Sequence, residues 1–341
     1  MTTFKDFIFG QMKMAGLKKS TWEPIYKLGF PFFQQAFTHE SFRSSSFKDI
    51  HEFRSMQFSM EELQSVANLN EIDSLPSYEQ LEFTGDKQIN VCIAQHLTEK
   101  YPGLPAGNLT FSFQKLASEK YLARFGKKQG FFEHILLSPA LFNQAILFRD
   151  GLPTEIDINF FQGGKIYNIY DKLVEDCVES LAAAMSIAVD KYSESSFGPG
   201  LAILYTWTNN GIMKEQDFDA TDIDQIKAPG IQLREAWENI YAQRKDAAKK
   251  FSNNDMFIID QTKRKPGYVP IKAINPVTRK VIAETVGLTE QDAKANAAIL
   301  ANDYIKATYA KELEIGKAFK MQKRGGGKPN NFIIQYDDDE Y

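Results

Sequence analysis

From Val178 to Val189 the chain reads Val-Glu-Ser-Leu-Ala-Ala-Ala-Met-Ser-Ile-Ala-Val, a run in which Glu179 is the sole charge. Its small and apolar residues allow other helices to approach closely, so the segment reads as an interior helix. An ionised carboxylate inside such a helix is costly unless a partner charge or a cation satisfies it. Asp176 lies three residues earlier and shares the face of Glu179. A second segment, Tyr78-Glu79-Gln80-Leu81-Glu82-Phe83-Thr84-Gly85-Asp86, also reads as helix, and there Glu79, Glu82 and Asp86 fall at i, i+3 and i+7 on one edge. With no Lys or Arg read as close to the acids on the second helix, a metal is the expected partner. Oxygen-only ligation suits Mg²⁺, with Mn²⁺ as a substitute, rather than zinc.

Other chemistries find little support. The chain has two cysteines, Cys92 and Cys177, each inside an apolar helical stretch, so buried thiols are expected in place of a disulfide framework or a cysteine zinc site. The four histidines show no short metal-ligand spacing. No apolar run is long enough to span a membrane and no secretory signal pattern opens the chain, which makes a soluble, intracellular protein the expectation, without a membrane partner or a small-molecule cofactor.

At 341 residues the chain is long enough for two domains, and its charge is divided between them. Residues 1–230 hold 21 Lys/Arg against 29 Asp/Glu, whereas 231–310 hold 13 against 9 and 311–330 hold 6 against 2. An acidic half that holds a cation, joined to a basic half, suits a metal-dependent enzyme with a polyanionic substrate.

The pattern along the chain agrees with that division. Short helices are expected in the first forty residues, then an inserted loop over about 43–77 with a small helix near 60–67. A long helix follows from Tyr78 to about Tyr101, with helices at 109–126 and 128–137, a loop or hairpin over 150–168, the second acidic helix from Tyr170 to Tyr192, and a helix at 200–209. After the acidic stretch 215–224 comes a helix-like segment, 231–250, then three β-rich runs at 256–261, 268–275 and 280–287 and a helix from Thr289 to about Leu313. The fold class is therefore a mainly α N-terminal domain, 1–225, followed by an α+β domain of order α-β-β-β-α, 231–313. The tail 314–341, basic and then acidic, reads as disordered.

These segments carry a resemblance. Tyr-Glu-x-Leu-Glu-Phe-x-Gly-Asp at 78–86 resembles the signature of the ribonuclease III family. Ala36-Phe37-Thr38-His39-Glu40-Ser41-Phe42 resembles its upstream Thr-His-x-Ser motif, Pro105–Thr110 and Leu116–Glu119 resemble its middle helices, and Asp176–Leu181 resembles its second acidic motif. The α-β-β-β-α segment is similar to a double-stranded RNA-binding domain. The resemblance implies that Glu82, Asp86, Asp176 and Glu179 bind the metal and carry catalysis, with Glu79 assisting at the dimer-related active site. It also implies a homodimer that cuts both strands of duplex RNA, leaving 5′-phosphate and 3′-hydroxyl ends with short 3′ overhangs.

Within the second domain, the resemblance implies RNA contacts from Gln232 and Glu235 on the first helix, Lys263, Arg264 and Lys265 in the first strand loop, and Lys294 on the last helix. The sequence departs from the family at several points. Thr84 and Lys87 replace residues that are usually aliphatic or small, with Lys87 expected in solvent. The last helix of the second domain opens with Glu290-Gln291-Asp292 where family members place basic residues. The alternative reading is a catalytically silent scaffold or a protein that sequesters duplex RNA.

Overall fold

A computed structural model describes residues 3–43, 76–150, 168–242, 251–265 and 268–324. Most of the inserted loop at 43–77, its expected helix at 60–67 and the loop or hairpin over 150–168 lie outside the described residues. The chain divides near residue 226 into two units.

The first unit is helical. In chain order it contains α1 (Phe4–Met14), α2 (Lys19–Ala36), α3 (Glu79–Lys100), α4 (Ala106–Leu116), α5 (Glu119–Gln129), α6 (Pro139–Arg149), α7 (Ile169–Tyr192) and α8 (Pro199–Asn210). The axis of the unit is α7, which packs against α2, α3, α5, α6 and α8. Its side chains are buried without a break from Leu173 to Ser186, as the Ala182-Ala183-Ala184 run and its neighbours require.

Three local departures from the sequence reading have identifiable causes. In place of short helices, α2 runs for 18 residues through Pro24 and Pro31, because Ile25, Tyr26 and Phe33 are buried in the core and outweigh the lost backbone donors. The helix expected over 109–126 is cut at Ala117-Ser118, where the Ser118 hydroxyl donates to the Lys115 carbonyl at 2.7 Å and ends α4. The helix expected over 128–137 is replaced by a single 3₁₀ turn, Phe131–His134, since Gly130 takes the left-handed conformation (φ 76°) that closes α5.

The second unit has α9 (Pro229–Ile240), strands β1 (Phe257–Ile259), β2 (Val269–Ile274) and β3 (Val281–Gly287), then α10 (Glu290–Thr308) and α11 (Ala310–Arg324). The sheet is antiparallel in the order β1-β2-β3, with Phe257 opposite Ala273 and Ala273 opposite Ala283. Leu233, Trp237 and Ile240 of α9 and Ala293, Ala297, Ala301 and Ile305 of α10 share one core with Val269, Ile271 and Ala273 of β2. β1 starts a residue later than expected, because the Ser252/Asp255 capping box winds 253–256 into a helical turn. The expectation of a disordered tail from residue 314 fails for 314–324, which continue α11; this helix packs on α9. Residues 325–341 lie outside the described residues.

Candidate metal centre

The close approach of α3 and α7 builds the site, and Gly85 is its pivot. A Cβ at this position would lie 1.8 Å from the Glu179 carbonyl oxygen, so only glycine lets the two acidic segments cross here. The crossing brings together Glu82 from α3 and Asp176 and Glu179 from α7, with a carboxylate oxygen from each lying within 4.8 Å of the other two. Asp86 and Glu79 lie on the wall of the adjoining cavity of about 330 Å³, which Glu82, Phe83, Lys172, Glu175 and Glu179 also line. Asp86 takes Nδ2–H from Asn90 at 2.7 Å and the Lys87 ammonium at 2.5 Å. Lys87, expected in solvent, is exposed but held on that carboxylate and over the Phe83 ring.

The upstream Thr-His-x-Ser segment contributes as a bracket. The backbone N–H of Tyr78 donates to the Thr38 carbonyl at 3.0 Å, and the His39 ring meets the Tyr78 ring edge-on. The Ser41 hydroxyl lies 2.8 Å from His39 Nδ1 and accepts the Ser138 N–H at 3.1 Å, and Leu136 bridges to Thr38. Fixed in this way at the start of α3, Tyr78 sends its hydroxyl to Asp176 Oδ2 at 3.0 Å. Burial pushes the His39 imidazole down to about 4, so it stays neutral and structural.

Electrostatically the cluster holds more negative charge than its surroundings stabilise. Burial, then the nearby Glu175 and Asp86, pushes the Glu179 carboxyl up to about 9. Glu82, Asp176 and Glu175 are raised as well, in each case chiefly by burial. Such acids ask for a cation, and the all-oxygen donor set of Glu82, Asp176 and Glu179 fits a hard divalent ion.

Two residues escaped the sequence reading. The expectation that no basic side chain stands near these acids on their own helix is wrong: the Lys172 ammonium lies 2.5 Å from Asp176 Oδ1, 2.9 Å from Glu175 Oε2 and 3.5 Å from Glu82 Oε1. Burial alone would lower its pKa, but Asp176 and Glu175 outweigh that and hold the ammonium charged. Glu175, only 8% exposed, is a sixth carboxylate at the site. Their i, i+3 and i, i+4 spacing was visible in the sequence. What the spacing could not show was the crossing of α3, which brings Glu82 within 3.5 Å of the same ammonium and makes Lys172 part of the cluster.

Residues 79–190 match the Ribonuclease III domain family. The chain carries a ribonuclease III domain. Curated relatives include the proteins named Ribonuclease 3 of Staphylococcus aureus strains JH9, Newman and NCTC 8325, each 34% identical over 116 residues, or 33% of this chain. The chain spans 38% of the length of those relatives. The ribonuclease III match holds both acidic segments and ends at the last turns of α7, and it leaves the second unit uncovered.

In that second unit the residues singled out as RNA contacts are brought into pairs. Arg264 and Lys294 both meet Glu290, at 3.6 and 2.7 Å, and Lys263 lies 3.5 Å from Asp260. Lys227 Nζ reaches Glu235 at 2.5 Å, and its carbonyl accepts the Gln232 amide at 2.9 Å. Lys265 is exposed and bridges to Tyr268 through the backbone. Both cysteines are free and buried, as expected. Among the described residues no helix is long and apolar enough to cross a membrane.

Proposed function

We propose that the protein is an endoribonuclease that hydrolyses phosphodiester bonds of double-stranded RNA with Mg²⁺, for which Mn²⁺ can substitute. The observation that carries this reading is the convergence of Glu82, Asp176 and Glu179 within 4.8 Å beside a cavity that Asp86 and Glu79 also line. The names of the Staphylococcus aureus relatives add support.

In this reading Glu82, Asp86, Asp176 and Glu179 hold the metal, and Glu79 assists from the rim. A divalent ion held there would activate water and neutralise charge on the leaving oxygen. The chain's own residues set the geometry for that chemistry. Tyr78 orients Asp176 by its hydrogen bond, Gly85 fixes the spacing of α3 and α7, and the raised carboxyls give up their protons as the cation is taken up. Water attacks phosphorus, the P–O3′ bond breaks, and the products carry a 5′-phosphate and a 3′-hydroxyl.

The protein acts as a homodimer with two such sites and leaves short 3′ overhangs. Phe83, 69% exposed, and Val91, 56% exposed, are apolar residues on α3 that a second copy would cover. The second unit serves as an accessory duplex-RNA contact of the α-β-β-β-α type, through Lys263, Arg264, Lys265, Lys294, Gln232 and Glu235. Its strength is limited by the acids already paired with several of these side chains.

The test is incubation of long duplex RNA with the full chain and Mg²⁺, beside Glu179→Gln, with the products sized and their ends mapped. Parent-only cleavage to 5′-phosphate ends is the expected result. Duplex that is bound yet left intact by the parent in Mg²⁺ and Mn²⁺ would instead establish a silent scaffold or sequestering protein.

A further inference from the structure

Lys172 occupies an unusual position for a basic residue in a cation-binding cluster. Its ammonium is shared among Asp176 and Glu82, two members of the carboxylate trio, and Glu175, which is outside the trio. Lys172 and Glu175 line the cavity, whereas Asp176 does not. An ion that approaches Asp176 Oδ1 meets the Lys172 ammonium 2.5 Å from that oxygen. Two cations a few ångströms apart repel each other strongly in a partly desolvated site. The ammonium also relieves the mutual repulsion of acids that α3 and α7 force together.

Resting on the metal-nuclease reading above, we propose that Lys172 is the resident counter-cation of the acid cluster. It holds Glu82 and Asp176 together when no metal is bound and yields Asp176 to the metal as its ammonium is retained by Glu175. Glu175 is thus a positioning residue, acting on the metal site through Lys172. Its place on α7, one turn from Lys172 and outside the trio, gives the ammonium somewhere to go without leaving the helix. Metal affinity is consequently set lower than six carboxylates would give by themselves, and the fold does not depend on metal for its assembly.

The test uses Mn²⁺ binding followed by electron paramagnetic resonance, and melting of the full chain in chelator and in saturating Mn²⁺. No RNA is required. Lys172→Met should bind Mn²⁺ on the order of tenfold more tightly, since a competing charge is gone. It should melt at a lower temperature than the parent in chelator and recover most of that difference in Mn²⁺. Lys172→Arg, which keeps the charge, should stay near the parent in both measurements. Glu175→Gln should weaken Mn²⁺ binding in the parent background and do so much less beside Lys172→Met, the coupling that an effect relayed through Lys172 requires.

Lys172→Met that binds Mn²⁺ no more tightly than the parent would overturn the proposal, as would Glu175→Gln acting equally in both backgrounds. A parent that binds no Mn²⁺ would overturn the metal-nuclease reading instead, and the chelator melting curves would still judge whether Lys172 holds the cluster together.

Discussion

The two units handle charge in opposite ways. In the helical unit, acids are driven into the interior and crowded by the crossing of α3 and α7, with Lys172 facing Glu82, Glu175 and Asp176 at once. In the second unit the charges are matched in small, partly exposed groups: Glu290 takes Arg264 and Lys294, Lys227 takes Glu235, and Lys263 takes Asp260. Ion pairs of the second kind are worth little, because water solvates each member nearly as well as its partner does. Crowding of the first kind is expensive, and a fold that sustains it has a use for the excess charge. Chemistry is therefore to be sought in the helical unit, and weak, salt-sensitive contact in the other.

The contrast breaks most sharply at Glu179. Glu179→Gln keeps the shape and removes the charge, and should reduce duplex cleavage by about a thousandfold or more, as measured by single-turnover kinetics on a defined duplex. A loss under tenfold would mean that the crowded charge is not what the reaction uses.

Gly85→Ala tests the crossing itself. Its new Cβ would fall against the Glu179 carbonyl, so the helices must separate, at a cost of about 3 kcal/mol in urea unfolding and with loss of metal binding. Retained stability would show that the crossing is less constrained than its geometry implies.

Neutral histidines give the helical unit an acid sensitivity of a kind the second unit does not share, since all four histidines precede residue 226. His134, packed against Phe4, Phe7 and Phe37, is pushed by burial down to about 4 from an ordinary value of 6.5. Below pH 6.5 the unfolded chain takes up this proton and the folded chain does not, so the stabilisation present above 6.5 is lost as pH falls toward 4, at a cost of roughly 3 kcal/mol. His134→Gln should lose less stability than the parent between pH 7 and pH 4.5 in parallel urea titrations. Equal losses would remove His134 from the account.

The smallest effect is expected in the second unit. Glu290→Gln weakens two partly exposed ion pairs, with Arg264 and Lys294, and should change urea stability by under about 1 kcal/mol. It should raise duplex-RNA affinity at low salt by about two- to fivefold, an advantage that fades as salt increases. A large stability loss would show that the pairs there are structural after all.

Much of the candidate site was legible in the sequence because its signal is local. Helical spacing placed Glu79, Glu82 and Asp86 on one edge of α3 and Asp176 and Glu179 on one edge of α7, and the structure lines one cavity with four of these five acids and sets Asp176 beside it. The bounds of α7 and of β2 and β3 fall within a residue or so of those expected, since apolar periodicity and flanking breakers act over short distances. Less legible were features that depend on burial. The prolines of α2 suggested interruption, but a core supplied by residues distant in sequence overrode them. The tail after 314 reads as disordered by composition, yet as far as Arg324 it forms a helix on α9.

The sequence by itself determined which side chains could serve as ligands and that they were acids in apolar helices, because composition and spacing are properties of a segment. It also determined that Gly85 stands between Glu82 and Asp86, without saying what glycine was needed for. The tertiary structure alone decided that Gly85 meets the Glu179 carbonyl, that the Thr38 segment anchors Tyr78 against Asp176, and that Lys172 sits in the acid cluster. Those facts arise from contacts between segments as far as 98 residues apart, as the Tyr78–Asp176 bond is, and a contact of that range is set by how whole helices pack and not by the order of residues within any one of them.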